Sequence, residues 1–193
     1  MPLHCEQRYS MNDFELVQSW VTGNPIGVGD GTLRVIQGSH RLHAEFRHTF
    51  RAGQSNCQNW HTLTEEQIQW LMDRGCRDLR ITAPAGSQVL WDSRTVHCGH
   101  KALSTEDLPA ELRDGPRTPR NVVYITMVPA SYANEHCMTV RKLMFEDMAG
   151  PHIISGHRAH EMKTSAQPVL VDLDVPKLPR PKLNDRGRKL AGL

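Results

Sequence analysis

Residues 4–6 of the chain are His-Cys-Glu, and residues 91–97 are Trp-Asp-Ser-Arg-Thr-Val-His. Alternate side chains of an extended strand point to the same face, so His4 and Glu6 can bind one metal ion while the residue between them points away. His97, from a distant strand, would complete a set of two imidazoles and one carboxylate. This ligand set is typical of non-heme iron(II) sites and leaves positions open for a co-substrate and oxygen. The two motifs therefore predict a metal centre.

The composition bounds the class of protein. The chain has 193 residues, a length typical of one domain with a real core, and its net charge is +2 at pH 7. The balanced charge gives no indication of a nucleic-acid partner, and no apolar run is long enough to cross a membrane. The expected partner is a small-molecule substrate, and the oligomeric state is left open.

The cysteines and the first residues indicate a compartment. Five cysteines is an odd number, they are widely spaced, and there is no Cys-x-x-Cys. Residues 1–4 have no basic segment followed by an apolar one, as a secretory signal would require. These features favour a reducing, cytoplasmic compartment over a disulfide framework.

Periodicity predicts a β-rich chain with few helices. Apolar runs bounded by turn residues predict strands at residues 14–22, 32–36, 88–97 and 122–128, and alternation predicts one at 79–83. Helices are predicted through residues 65–72 and over 134–148, whereas residues 40–50 are compatible with a helix or a loop. Thr62 or Thr64 can cap the first helix, and Gly75 suits the position after its end.

Several motifs in order carry a family resemblance. Residues 12–22 are N-D-F-E-L-V-Q-S-W-V-T, residues 29–40 are G-D-G-T-L-R-V-I-Q-G-S-H, and residues 85–97 are A-G-S-Q-V-L-W-D-S-R-T-V-H. With the His-x-Glu motif and an arginine before the last core strand, the chain resembles the phytanoyl-CoA dioxygenase family of iron- and 2-oxoglutarate-dependent oxygenases. The chain differs from the family pattern at Glu6, where the pattern has aspartate. The extra methylene moves the carboxylate oxygen by about 1 Å unless the backbone retreats.

The resemblance implies a fold and a cofactor set. The implied fold is mainly β, a double-stranded β-helix of the jelly-roll or cupin-like kind with a few flanking helices, over residues 1–166. A proline-rich, basic, extended tail is expected at residues 167–193. The implied ligands of Fe(II) are His4, Glu6 and His97.

The resemblance also implies a 2-oxoglutarate site. Arg120 would bind the far carboxylate of 2-oxoglutarate, with Trp20 and Thr22 beside the co-substrate. Arg117 stays an alternative to Arg120, because the segment after the second motif, residues 101–119, is longer than usual in the family. The same segment is a candidate mobile lid.

Other polar residues near the motifs have weaker assignments. Gln7 and Arg94 are candidate contacts to the substrate, although an internal ion pair between Arg94 and Asp92 is the alternative. His100 is a weak competing ligand. His157 and His160 have the spacing of a metal pair on a helix but lack further ligands.

The predicted function is an Fe(II)- and 2-oxoglutarate-dependent hydroxylase of a small organic molecule that releases succinate and carbon dioxide. The carboxylate ligand favours hydroxylation over halogenation. The first alternative is a catalytically inactive binding module of the same family, favoured by Glu6 and by a first motif so close to residue 1 that N-terminal elements would be missing. The second alternative is a metal enzyme that uses no keto acid. In such an enzyme Arg120 would have no role.

Overall fold

The structure, a computed structural model, describes residues 2–7, 13–52, 61–115, 117, 119–129, 131, 134–146 and 182–191. The chain divides into two compact units, Met1–Met127 and Val128–Leu193. Each unit is described by itself. Within the described residues, no helix has the length and apolar character needed to cross a membrane.

The first unit is mainly β. Its strands are β1 (His4–Cys5), β2 (Val17–Thr22), β3 (Thr32–Gln37), β4 (His61–Thr62), β5 (Arg77–Arg80), β6 (Gln88–Asp92), β7 (His97–His100) and β8 (Val122–Met127). Its helices are α1 (His43–Phe50) and α2 (Glu65–Asp73), and short 3-10 turns lie at Ser39–Leu42 and Ala110–Leu112. The described part of the second unit contains α3 (Glu135–Glu146) and α4 (Asp185–Ala191).

The strands form two antiparallel sheets. The larger sheet has the order β4-β1-β7-β3-β5, and the smaller has the order β6-β2-β8. Two antiparallel sheets with few helices confirm the mainly β expectation.

Two clusters of buried apolar residues lie on opposite faces of the larger sheet. The cluster between the sheets consists of Trp20, Ile26, Leu33, Val35 and Ala83. The other cluster packs the larger sheet against α1 and α2 and includes Cys5, Ile36, Phe46, Leu71 and Cys98. Because side chains alternate along a strand, the neighbours of Cys5 and Cys98, which are His4 and His97, face the smaller sheet.

Helix α2 begins and ends where its sequence predicts. The Thr64 hydroxyl accepts a hydrogen bond from the Gln67 backbone N–H, and the Gln67 side chain accepts one from the Thr64 N–H, which is a reciprocal capping box. Gly75 follows the helix with a φ of +82°. Thr64 is therefore the cap, and Thr62 lies in β4.

The predicted strand over residues 88–97 is two strands in different sheets. β6 belongs to the smaller sheet and β7 to the larger one. Between them, Asp92 accepts hydrogen bonds from the Arg94 backbone N–H and, through its carbonyl, from the Thr95 N–H. An aspartate side chain that binds the backbone two residues on is a turn former, so the chain turns here and crosses between the sheets.

Other boundaries differ by a few residues. The first long strand begins at Val17 rather than at residue 14, and β5 ends at Arg80, after which Ala83 forms an isolated bridge with Ile26. Residues 40–50 are a 3-10 turn followed by α1. Helix α4 occupies residues 185–191, part of the segment expected to be extended, and the proposed division at residue 166 lies outside the described residues.

The segment after β7 is anchored to the loop between β2 and β3. Leu103 N–H donates to the Gly29 carbonyl, and Arg117 donates to the carbonyls of Leu103 and Gly29 at 2.6 and 2.7 Å. Leu108 is buried and packs over Gly29. A mobile lid would need these contacts to break, so the lid role stays a prediction.

Candidate metal centre

Three predicted ligands lie together between the sheets. One ligand atom from each of His4, Glu6 and His97 lies within 4.8 Å of the others, and all three residues are buried. His4 and His97 are direct cross-strand partners on β1 and β7, and their ring centres are 4.7 Å apart. Glu6 Oε1 is 3.7 Å from His4 Nε2. The geometry brings together two imidazoles and one carboxylate from residues far apart in sequence.

Backbone carbonyls fix the tautomer of both imidazoles. His4 Nδ1 donates to the Pro2 carbonyl, and His97 Nδ1 donates to the Thr95 carbonyl, each at 2.8 Å. A carbonyl only accepts, so in each neutral ring the proton is on Nδ1 and Nε2 presents its lone pair. A carbonyl on the far nitrogen is the usual outer contact of a metal-binding histidine.

Strand β1 ends at Cys5, so Glu6 is the first residue after it, and its side chain extends to the cluster. The Gln18 side-chain amide donates to Glu6 Oε2. Trp91 Nε1 in turn donates to Gln18 Oε1 at 2.9 Å, and the Trp91 ring meets the His97 ring edge-on at 5.3 Å. Sequence reasoning missed Gln18. The available signal was its place on the same strand face as Trp20 and Thr22, where a buried amide needs partners.

Arg120 and Trp20 together present buried donors. Arg120 Nε and Nη2 and Trp20 Nε1 are buried and have no hydrogen-bond partner among the described residues. The Arg120 guanidinium carbon is 5.9 Å from the Trp20 ring centre and 5.6 Å from that of Tyr124. Buried N–H groups without acceptors are costly, so this arrangement favours an anionic ligand.

The structure separates the two candidate arginines. Arg117 is exposed, and its guanidinium is engaged by backbone carbonyls of Leu103 and Gly29. Arg120 is half-buried, and its guanidinium lies beside Trp20, which belongs to the apolar cluster between the sheets. Its position favours Arg120 for the carboxylate of a co-substrate.

Thr22 and Gln7 already have internal partners. The Thr22 hydroxyl donates to the Asn24 carbonyl, and the Asn121 carbonyl is 3.3 Å from the same hydroxyl. Gln7 is buried, its amide donates to the Asp13 carbonyl, and its oxygen accepts from the Ser93 hydroxyl at 2.8 Å. These contacts favour structural roles, and contact of either residue with a ligand stays a prediction.

Arg94 forms the internal ion pair that was one of its two predicted roles. Its Nη2 is 2.6 Å from Asp92 Oδ2, and its Nε also donates to that carboxylate. Burial of Asp92 alone would raise the pKa of its carboxyl, but the hydrogen bonds from Arg94 prevail and lower it. The pair stays charged and holds the turn before His97.

A cleft lies beside His97. It has a volume of about 270 Å³, and its walls come from β3, β6 and the segments that follow β3, β5 and β6. The lining includes Leu33, Val35, Ile81, Val89, Trp91, His40, Asp92 and Thr95. Val35 is the cross-strand neighbour of His97, and Trp91 touches its ring, so the cleft borders the metal centre.

His100 is not part of the cluster. It lies three residues after His97 on β7, where it contacts the Lys101 carbonyl and the Arg80 guanidinium. His157 and His160 lie outside the described residues.

The family assignment follows from comparison with known proteins. The family model described as Phytanoyl-CoA dioxygenase (PhyH) matches residues 1–107. The chain belongs to the phytanoyl-CoA dioxygenase family. The matched region contains His4, Glu6 and His97, and it ends before Arg120.

Two relatives of this phytanoyl-CoA dioxygenase family member are much longer proteins. The "Ava biosynthesis cluster protein O" of Aspergillus versicolor is 28% identical over 149 residues, which is 74% of this chain and 44% of that protein. The crystal structure of GlcNAc Inducible Gene 2 (DUF1479) from Candida albicans is 16% identical with a TM-score of 0.46, and the match covers 80% of this chain and 36% of that one. The chain thus spans less than half the length of either relative.

Proposed function

We propose that the protein is an Fe(II)- and 2-oxoglutarate-dependent oxygenase that hydroxylates a small organic substrate. The observation that carries the proposal is the buried cluster of His4, Glu6 and His97 in a member of the phytanoyl-CoA dioxygenase family. We further propose that the two antiparallel sheets are the halves of a double-stranded β-helix.

The donor set fits iron. Two neutral imidazoles and one carboxylate on one side of an ion are the facial triad of non-heme Fe(II) oxygenases. Their atoms lie within 4.8 Å of one another, close enough for one ion to bind all three. Burial of these polar groups is unfavourable without a partner, and a cation supplies one.

The co-substrate fits the strip of β2 that faces the larger sheet. Gln18, whose amide contacts Glu6, and Trp20, beside Arg120, are two residues apart on this face, a distance of about 7 Å along a strand. A dicarboxylate lying along this strip would present its keto acid to the metal and its other carboxylate to Arg120. The planar guanidinium binds a carboxylate through two parallel hydrogen bonds.

Iron and 2-oxoglutarate, when bound, would use O2 to insert one oxygen atom into a C–H bond of the substrate and the other into succinate, with release of carbon dioxide. The chain provides positioning. The carbonyls of Pro2 and Thr95 hold both histidine rings, and the apolar cluster around Trp20 excludes water. The cleft beside His97 would hold the substrate. The carboxylate ligand leaves no vacant position for a halide, which favours hydroxylation.

The test is an anaerobic titration with Fe(II), with and without 2-oxoglutarate, that follows the visible charge-transfer band of a keto acid chelated to iron. We expect the band in the native protein, its loss in His97→Ala, and a weakened co-substrate affinity in Arg120→Ala. Since a charge-assisted bidentate contact is lost, the affinity should fall by about 10-fold or more.

The chain offers a matched control for each variant. His100→Ala removes a histidine from the same strand but not from the cluster, and Arg117→Ala removes the neighbouring arginine. Both should retain the band. Absence of the band in folded native protein supplied with iron would overturn the oxygenase proposal and favour the inactive binding module.

A further inference from the structure

Gln18 connects the metal centre to the smaller sheet. It is fully buried in β2, and its side chain bridges Glu6 on one side and Trp91 on the other. Gln18 and Trp91 are direct cross-strand partners on β2 and β6. The hydrogen bond between Gln18 and Trp91 therefore joins two residues whose backbones are paired in a sheet, and neither lies in a loop.

The hydrogen bonds of Gln18 have only one consistent orientation. An indole N–H donates and never accepts, so the Gln18 oxygen faces Trp91 Nε1, at 2.9 Å. The Gln18 NH₂ group is then directed at Glu6 Oε2 as a donor. A carboxylate accepts at this oxygen whether or not a metal is bound at the other.

The two oxygens of Glu6 consequently face different partners. Oε2 accepts from Gln18, whereas Oε1 lies 3.7 Å from His4 Nε2, on the side of the imidazoles. A glutamate has one more rotatable bond than an aspartate, so its carboxylate needs an external contact to hold one orientation. Gln18 supplies that contact from the opposite sheet.

We propose that Gln18, clamped by Trp91, is a positioning residue that orients Glu6 so that Oε1 is the metal-binding oxygen. The inference rests on the proposed metal centre. Gln18 gives the longer side chain at the family's aspartate position a fixed contact in the opposite sheet. Trp91, which also contacts the His97 ring, extends the same network to a second ligand.

The test measures Co(II) affinity of the metal-free protein from the visible bands of bound Co(II), in native protein and in Gln18→Leu. Leucine keeps much of the volume but donates no hydrogen bond. Loss of an outer-shell contact typically lowers metal affinity by about 10- to 100-fold, and we expect a loss in this range. Ser19→Ala is the matched control, since Ser19 is buried on the other face of the same strand and bonds Ile125; it should bind Co(II) like the native protein.

A double-mutant cycle tests the positioning itself. In a Glu6→Asp background the carboxylate lies about 1 Å further from Gln18 and the contact is weaker, so Gln18→Leu should lower Co(II) affinity less there than in the native background. Trp91→Phe should weaken binding in the same direction as Gln18→Leu, and the two changes together should add little to either alone. Equal losses from Gln18→Leu in both backgrounds would overturn the positioning role.

A second readout needs no metal. The Gln18 side-chain amide signals in a ¹H–¹⁵N NMR spectrum, assigned by their loss in Gln18→Leu, should shift in Glu6→Asp and in Trp91→Phe but not in Ser19→Ala. Unchanged signals would overturn the inference. Shifted signals in a protein that binds no Co(II) would instead overturn the proposed function, and with it the positioning role, although the contact would stand.

Discussion

His43 is a buried titratable residue close to the turn that precedes His97. Burial, followed by the charge of Arg94, lowers the pKa of its imidazole from 6.5 to about 4. The folded protein therefore holds His43 neutral at pH values where an exposed histidine would be protonated. Its titration therefore contributes to the pH dependence of stability.

Acidification should destabilise the protein through His43. As pH falls below 6.5 the unfolded chain takes up this proton first, so stability is lost between pH 6.5 and about pH 4 and no further below that. The full effect is about 3 kcal/mol at most. We expect urea unfolding of His43→Gln to show a flatter pH dependence over this range. His48→Gln, an exposed histidine of the same helix, should keep the native slope.

The residues of the site differ in how far the sequence predicts them. His4, Glu6 and His97 are predicted because motifs with fixed spacing name them, and Arg120 is predicted from its place just before the last strand of the first unit. Gln18 is not found, since a glutamine carries no signal until its two partners, from residues 6 and 91, are known to lie beside it. Its inward-facing position was the only indication.

At the level of elements, the turn between β6 and β7 matters most. The sequence pattern predicts one strand over residues 88–97, where the structure has two. Asp92 and Ser93 are turn-forming residues and mark the break in retrospect. The ends of α2 are predicted correctly, with Thr64 one of the two candidate caps and Gly75 after the end, because capping is a purely local signal.

Gly29 should be intolerant of a side chain. It has a φ of +86°, and an added Cβ would collide with Leu108. We expect Gly29→Ala to cost about 1–3 kcal/mol in urea unfolding through strain and lost packing. Gly75→Ala is the matched control, because it has a similar φ but open space around it, and it should cost only about 1 kcal/mol. Equal costs would mean that the segment after β7 is not anchored at Gly29.

At the scale of the whole first unit, the residues proposed to bind the metal and the co-substrate come from both sheets. His4 and His97 belong to the larger sheet, whereas Trp20 belongs to the smaller one and Arg120 precedes its strand β8. A co-substrate held at both ends would therefore connect the sheets. The sequence predicts the strands but not their order in the sheets, so it does not predict that one co-substrate would contact both sheets.

Thermal unfolding should reveal this connection. A ligand at 100 times its dissociation constant stabilises by about 2.7 kcal/mol. We expect Co(II) alone to raise Tm, and 2-oxoglutarate to raise it further only when Co(II) is present and Arg120 is intact. Glutarate, which lacks the keto group, should give a smaller rise. Stabilisation by 2-oxoglutarate without metal, equal to that with metal, would contradict simultaneous anchoring.

The crossing from β6 to β7 also makes chain length, and not only residue identity, a requirement of the site. His97 is the first residue of β7, directly after the turn, and its neighbour Cys98 faces the helices. Deleting a single residue from positions 93–96 would bring Cys98 toward the place of His97 and present a thiol where an imidazole stands. Surface loops absorb insertions and deletions readily. The turn between β6 and β7 should not tolerate such a change. Side chains of β7 alternate between the two faces of the sheet, so a shift of one residue exchanges the residues on each face.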